Sequence, residues 1–123
     1  MLRLYNRERS GNCYKARLML SLLGLEYESI PIHREGKGRN LLPPDFERLN
    51  PLRQIPVLVA DGQSYWGMIP ILVYLARKFG GESWLPLDAD GEAEITQWLS
   101  RAQNEIFLCR NVNRESQIVN RAG

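Results

Sequence analysis

Four consecutive residues near the N-terminus carry a hydroxyl, a carboxamide and a thiol: Ser10, Gly11, Asn12 and Cys13. They follow an alternating run, Leu2 to Asn6, and precede a segment of helical periodicity, so they lie where a strand gives way to a helix. Ser10 and Asn12 are both good N-cap residues. The free N–H groups and the positive end of a helix dipole favour an anion there, whether carboxylate, phosphate or thiolate. In the alternative interpretation, Ser10 only caps the helix and Cys13 only packs in the core.

Composition and charge exclude several classes of function. With 123 residues and 44% apolar side chains, the chain is predicted to form one domain, or one domain plus part of another. Its 16 Lys and Arg and 14 Asp and Glu are scattered, which argues against nucleic acid or a membrane surface as partner. Two distant cysteines and one histidine indicate neither a disulfide framework nor a zinc site. With no leader-type or membrane-spanning run, we expect a cytoplasmic protein.

The helix that positions these four residues is predicted over Ser10–Leu25, with Gly24 as its C-terminal stop. Its apolar residues form two rows, which are Cys13, Ala16, Leu20 and Leu23, and Leu18, Leu22 and Leu25. Two rows predict a helix that is covered on two sides. A second strand is predicted over Tyr27–His33, with Pro31 indicating an edge or a bulge. Two strands joined through a helix imply a right-handed crossover and a parallel pair.

The middle of the chain predicts a loop, a short helix and a hairpin. The polar stretch Arg34–Asn40 is either a solvated loop or a loop that contacts a ligand. Asp45–Leu49 is expected to form one or two helical turns with Phe46 and Leu49 buried. The pair Asp61-Gly62 predicts a type I′ turn between two antiparallel strands, Ile55–Ala60 and Gln63–Trp66.

A second long helix is predicted over Met68–Phe79, with Pro70 in its first turn and Gly80-Gly81 as its end. The resulting order of elements is βαβ followed by ββα, which predicts an α/β fold with a thioredoxin-like sheet. We expect this domain to span residues 1–80 and a linker to span 81–91. An amphipathic helix is predicted over 92–108, with Ile95, Trp98, Leu99, Ala102 and Ile106 on one stripe. The polar tail, 109–123, is expected to be poorly ordered.

Four segments together resemble the N-terminal half of a glutathione S-transferase of a bacterial, serine type. They are SGNCYKARLMLSLLGLEYE, FERLNPLRQIPVL, ILVYLARKFGGESWLP and EAEITQWLS. The resemblance runs from Leu2 to about Phe107 in continuous register. It implies a first domain that binds glutathione, followed by the first helix of an all-α second domain that holds most of the site for a small electrophile. Because the resemblance ends there, we expect a truncated family member, and relatives of this kind are usually homodimers.

The resemblance assigns the catalytic role to Ser10, whose hydroxyl would donate a hydrogen bond to the sulfur of glutathione. A hydroxyl donor and a helix N-terminus both stabilise a thiolate over a thiol, so the glutathione thiolate, rather than the serine, is the nucleophile. The sequence shows no general base for Ser10 and no G-x-S-x-G elbow, which argues against a serine hydrolase.

The resemblance also implies a set of glutathione-binding residues. Ile55-Pro56 matches the family's cis-proline position, where the backbone of Ile55 would pair with the glutathione peptide as an added strand. Asn12 belongs to the anion-favouring turn. Gln54, Lys37 and Asn40 are expected contacts for the glycyl end.

At the start of the third family helix the chain departs from the family pattern. Gly67 and Met68 replace an acidic residue and a serine that hold the γ-glutamyl group, and Pro70 replaces a small residue. Backbone N–H groups remain available there. Each lost hydrogen bond to a charged group weakens binding by roughly 1.5–3 kcal/mol, so we expect a recognisable but impaired glutathione site, without a metal.

Two other functions stay open at this point. The departures at Gly67 and Met68 are compatible with a noncatalytic binding or interaction module that keeps the fold. A thiol oxidoreductase is the third hypothesis, because Ser10-Gly11-Asn12-Cys13 occupies the position where thioredoxin-like redox proteins carry C-x-x-C.

Overall fold

The computed structural model describes residues 1–105. Contacts divide the chain after Trp84, so that Met1–Trp84 form one compact unit and a second unit begins at Leu85. Ile106 and the tail 109–123, for which sequence predictions were made, lie outside the described residues.

The first unit is built on a four-stranded sheet. The strands are β1 (Leu2–Asn6), β2 (Glu28–Pro31), β5 (Val57–Ala60) and β6 (Gln63–Trp66). Their order in the sheet is β2-β1-β5-β6, with β1 parallel to β2 and antiparallel to β5, and β5 antiparallel to β6. The predicted thioredoxin-like α/β sheet is thus confirmed.

The hairpin between β5 and β6 forms at the predicted pair. Asp61 and Gly62 have φ angles of 49° and 82°, as a type I′ turn requires at both central positions. The pairing Val57↔Trp66 sets the register. This pairing places the residue after β6, Gly67, beside the residue before β5, Pro56.

The predicted strand Tyr27–His33 is divided in the structure. β2 ends at Pro31, which has no N–H to continue a ladder, and a two-residue strand β3 (His33–Arg34) follows. β3 pairs with β4 (Asn40–Leu41), so the stretch predicted as a loop is a small hairpin.

Helix α1 spans Gly11–Leu22 and ends before Gly24, whose φ of 66° confirms the predicted stop. It buries Cys13, Ala16, Met19 and Leu20 and contacts α2 (Met68–Leu75), which continues into a π-helical turn over Ala76–Gly80. The second apolar row of α1 is not covered as predicted, since Leu18 and Leu22 are 42% and 61% exposed. In α2 the side chains of Met68, Ile71 and Leu75 are buried.

The other face of the sheet is covered by a short segment that leads toward β5. Phe46 lies in a 3₁₀ turn, Phe46–Arg48, and packs with Val57 and Val59. The Tyr5 and Phe46 rings meet edge to face, with their centroids 5.6 Å apart. Leu42, Leu49 and Ile55 border this cluster. The prediction that Phe46 is buried is confirmed.

In the second unit, helix α3 spans Ala89–Ser100 and starts three residues earlier than the predicted helix. The reason is local. The Asp88 side chain accepts the Gly91 N–H at 2.9 Å and caps the helix, so the helix begins at Ala89, within the stretch predicted as a linker. None of the residues of α3 is buried, and Trp98 is 65% exposed. Within residues 1–105, no helix combines the length and apolarity that a membrane crossing requires.

Candidate functional site

The turn between β1 and α1 places Ser10 at the N-cap of the helix. Its backbone is extended (φ −84°, ψ 123°) and its Oγ accepts the Cys13 N–H at 3.3 Å. The Ser10 N–H in turn donates to the Arg7 carbonyl at 3.2 Å. A serine hydroxyl has one proton to donate and two lone pairs, so capping uses an acceptor site and leaves the proton free. Capping and anion binding are therefore compatible at this residue.

Arg17 fixes the same turn from within the helix, a role that the sequence analysis missed. Its Nη1 donates to Asn6 Oδ1 at 2.9 Å and to the Arg7 carbonyl at 3.1 Å, and its Nη2 donates to the Glu8 carbonyl at 2.9 Å. Asn6 is buried and also donates to the Ser29 hydroxyl. Most of these acceptors are backbone carbonyls, which leave no signal in residue type or spacing.

Cys13 is fully buried on the inner side of α1. A thiol that solvent cannot reach is unsuited to attack a disulfide, which argues against the oxidoreductase hypothesis. Among residues 1–105, no three side chains of His, Cys, Asp or Glu come together in a way that could hold a metal ion.

The segment before β5 approaches the same end of the sheet as Ser10. The Ile55–Pro56 peptide bond is cis, Pro56 is buried, and its carbonyl accepts the Gly67 N–H at 3.2 Å. Because Val57 is opposite Tyr5 in the ladder, β5 begins where β1 ends. Ser10, Ile55 and Gly67 therefore lie at the same end of the sheet. Within residues 1–105, the backbone N–H and carbonyl of Ile55 make no hydrogen bond.

Asn50 organises the turn that leads to this segment. It is 1% exposed, its Nδ2 donates to the Gln54 carbonyl at 2.9 Å, and its Oδ1 accepts the Leu52 N–H at 2.9 Å. Arg53 has a φ of 53°, and its N–H donates to the Asn50 carbonyl. No role was predicted for Asn50, although the dipeptide Asn50-Pro51 is a turn signal that could have identified it.

We expect the Asn50→Ala substitution to lower the free energy of unfolding by about 2 kcal/mol, because it leaves two backbone groups without their buried partner. Chemical denaturation monitored by circular dichroism measures the change. Gln63→Ala removes an exposed carboxamide in β6 and should change stability by less than about 0.5 kcal/mol. Equal effects of the two substitutions would contradict this role for Asn50.

The two loop residues assigned to the glycyl end lie in different cavities. Asn40 is half-buried, accepts a hydrogen bond from Arg7 Nη1 at 2.7 Å, and lines a cavity of about 530 Å³. Lys37 is exposed and lines a separate cavity of about 470 Å³. The structure therefore brings Asn40, but not Lys37, into one cavity with Arg53, the neighbour of Gln54.

The N-terminus of α2 offers backbone rather than side-chain groups. Gly67 is its N-cap residue, with a φ of 92° that favours glycine, and has no side chain to cap the helix. Met68 is 2% exposed, so its side chain belongs to the core, and only its N–H can face a ligand. Asn12 and Gln54 are exposed.

Comparisons with known proteins show the family to which this chain belongs. The family model for the glutathione S-transferase N-terminal domain matches residues 9–78. The chain belongs to the glutathione S-transferase family.

Individual relatives extend this family match. Maleylacetoacetate isomerase of Rattus norvegicus is 33% identical over 92 residues, which are 75% of this chain and 43% of the rat protein. A glutathione S-transferase structure from Xanthobacter autotrophicus is 31% identical with a TM-score of 0.70, covering 85% of this chain and 49% of that one. A structure of Ure2p in complex with glutathione is 26% identical with a TM-score of 0.68, covering 84% of this chain and 48% of that one.

The chain therefore spans about half the length of the glutathione S-transferase relatives it matches. The matched half contains the Ser10 turn, Pro56 and the start of α2, all within residues 9–78. The family resemblance seen in the sequence is thus confirmed, and so is the fold that it implied.

Proposed function

We propose that this chain binds glutathione at the end of the sheet where Ser10, Ile55 and Gly67 lie, and stabilises its thiolate for attack on an electrophilic carbon. The observation that carries the proposal is the Ser10 hydroxyl, which caps α1 through a lone pair and keeps its proton for a ligand. A hydrogen bond from this proton to sulfur, together with the positive end of α1, lowers the pKa of the bound thiol.

The peptide part of glutathione finds its partner at Ile55. The N–H and carbonyl of this residue have no hydrogen bond within residues 1–105, and β5 begins two residues later. An extended peptide that pairs with these groups adds a short strand, in which main-chain hydrogen bonds supply affinity. Gln54, directly before, borders the glycyl end.

The γ-glutamyl carboxylate is held by the N-terminus of α2, through backbone N–H groups such as that of Met68. Neither Gly67 nor Met68 carries a hydroxyl or a carboxylate that could hold the γ-glutamyl group. We expect weaker glutathione binding than a complete set of hydrogen bonds would give, by about tenfold or more for each missing bond to a charged group.

Glutathione titration tests the proposal directly. Isothermal calorimetry should show saturable binding at millimolar glutathione, and ophthalmic acid, in which a methyl group replaces the thiol, should bind more weakly. Turnover is followed with 1-chloro-2,4-dinitrobenzene, and with maleylacetoacetate because the rat relative is named for its isomerisation. If no binding occurs at millimolar glutathione in a chain that circular dichroism shows to be folded, the proposal fails.

A noncatalytic binding module is the second candidate, and the missing side-chain groups at Gly67 and Met68 favour it. Such a module would bind glutathione or another peptide at Ile55 without activating sulfur. It predicts that glutathione binds without a change in thiol pKa, whereas the transferase proposal requires the pKa to fall.

A further inference from the structure

The chain contains two Asp-Gly pairs, Asp61-Gly62 and Asp90-Gly91, in different backbone environments. An aspartate can react with the residue that follows it, because its side-chain carboxyl and the next backbone nitrogen can close a five-membered succinimide ring. Asp side chains reach the backbone N–H groups just after them, and a following glycine has no Cβ to obstruct the approach. Local structure therefore decides which of the two pairs reacts.

Asp61-Gly62 is the exposed turn between β5 and β6. The Asp61 side chain is 76% exposed, and its φ of 49° lies in the left-handed region, which non-glycine residues seldom adopt. Within residues 1–105, the Gly62 N–H makes no hydrogen bond. The nitrogen that would attack is thus unengaged, and water has free access to the turn.

Two cations lie near the Asp61 carboxylate without fixing it. The Met1 amino group is 3.7 Å from Oδ1, and Lys78 Nζ is 3.8 Å from Oδ2. Both distances exceed those of hydrogen bonds, and all three groups are about half exposed or more. Because water screens exposed ion pairs of this kind, they hold the carboxyl only weakly and leave it free to turn toward Gly62.

Asp90-Gly91 lies in the first turn of α3, where the corresponding nitrogen is engaged. The Gly91 N–H donates to Asp88 Oδ2 at 2.9 Å, and Asp90 is already part of the helix. Ring closure requires that this cap bond break and the turn open. A cap bond of ordinary strength lowers the population of the open turn by about fivefold.

We propose that Asp61 is a site of isoaspartate formation in the folded chain, and that the cap on Gly91 protects Asp90. In the first step the Gly62 nitrogen bonds to Cγ of Asp61, and the carboxyl hydroxyl leaves with the amide proton as water. Water then adds to the succinimide. Cleavage of the bond from nitrogen to Cγ restores aspartate, whereas cleavage of the bond from nitrogen to the main-chain carbonyl carbon gives isoaspartate. Water is the only co-reactant, and the product has the mass of the original chain.

The modification would loosen the hairpin that contains it. In isoaspartate the main chain runs through the side-chain methylene, so one extra carbon enters the loop. The observed turn closes with two residues between Ala60 and Gln63, and a type I′ turn needs ordinary backbone at both. Conversion at Asp61 should therefore weaken the pairing of β5 with β6. This site is independent of the proposed function, since the turn lies at the opposite end of β5 from Ile55.

Ageing the full chain at neutral pH, with circular dichroism to show that it stays folded, tests the site. Trypsin separates the two pairs, because Asp61 lies in peptide 54–77 and Asp90 in peptide 79–101. Isoaspartate in each peptide is measured by electron-transfer fragmentation and by methyl transfer from labelled S-adenosylmethionine with an isoaspartyl methyltransferase. It should form at least about fivefold faster at Asp61 than at Asp90. Equal rates, or a faster rate at Asp90, would overturn the proposal.

The same ageing in concentrated urea separates the fold from the neighbouring residues. Without the cap and the turn, the two Asp-Gly pairs should react at rates within about twofold of each other, because the pairs are chemically alike. A ratio as large in urea as in the folded chain would show that sequence neighbours set the rates and would refute the role of the structure.

A matched pair of substitutions tests the protection of Asp90. Asp88→Ala frees the Gly91 N–H and should raise the rate at Asp90 by about fivefold while leaving Asp61 unchanged. Asp88→Ser keeps a capping oxygen and should leave both rates as they were. If Asp90 reacts no faster in Asp88→Ala than in Asp88→Ser, the cap does not protect it and the proposal fails.

Converted and unconverted chains from one aged preparation, separated by ion-exchange chromatography, show the effect on the hairpin. The converted form should unfold at a lower urea concentration, with the loss of protection from hydrogen exchange largest in β6. Identical unfolding midpoints and exchange would refute the loosening of the hairpin.

Discussion

The Ser10→Ala protein should turn over 1-chloro-2,4-dinitrobenzene about tenfold to a hundredfold more slowly than the unsubstituted chain. The reason is the loss of one hydrogen bond to a charged sulfur, which is worth about 1.5–3 kcal/mol. The same loss should raise the pKa of the bound glutathione thiol, since the donor favours the thiolate over the thiol. Thiolate absorbance of bound glutathione as a function of pH measures this shift separately from turnover.

Two further substitutions separate sulfur binding from helix capping. Ser10→Ala also removes the cap on the Cys13 N–H, which should cost about 1 kcal/mol of stability. Ser10→Asp keeps a capping oxygen but places a negative charge beside the sulfur, so it should retain stability and lose turnover. Ser10→Thr keeps both functions and should stay near the activity of the unsubstituted chain.

Ser21→Ala is the matched control, because Ser21 lies exposed on the same helix. It should leave turnover and the thiol pKa unchanged. If Ser10→Ala and Ser21→Ala behave alike in protein that binds glutathione, sulfur is activated elsewhere or not at all, and the noncatalytic module becomes the better description.

The Phe46→Ala substitution should destabilise the protein by about 3–5 kcal/mol, the largest effect we expect from a single residue. Phe46 is 1% exposed and fills the space between Tyr5 and the inner side chains of β5. Urea unfolding followed by tryptophan fluorescence measures the change.

Phe79→Ala removes the same side chain from a position that is 42% exposed. It should cost less than about 1 kcal/mol, because little apolar surface leaves the core. Similar midpoints for the two variants would mean that the face of the sheet around Phe46 contributes no more than the surface does. Phe46→Leu should recover most of the stability, since it refills most of the cavity.

Much of the fold could be predicted from short stretches of sequence. The Asp61-Gly62 turn, the stop at Gly24 and the capped helix after Ser10 each depend on preferences that act over a few residues. These preferences made the order of strands and helices predictable. Errors occurred where distant partners decided the outcome, as in the second apolar row of α1, in which Leu18 and Leu22 stay 42% and 61% exposed.

The residues of the candidate site also divide into those that the sequence could identify and those that only the structure shows. Ser10 could be assigned from its position at a helix start, and Ile55-Pro56 from the family resemblance. Asn50 could have been found from the turn signal Asn50-Pro51. Arg17, and the four arginines that line one cavity, could not be assigned from spacing; these four are Arg7, Arg34, Arg39 and Arg53. Arg7 and Asn40, for instance, are 33 residues apart in the chain and 2.7 Å apart between their side-chain atoms.

By itself, the sequence determined where the backbone turns, which segments become helices or strands, and that a hydroxyl stands at the start of the first helix. Only the tertiary structure decided which face of α1 is buried, that the Met68 side chain enters the core, and that four arginines share one cavity. The physical reason is the range of the interactions. Capping and turn preferences act within a few residues, whereas burial and charge clustering depend on which distant segments the sheet brings together.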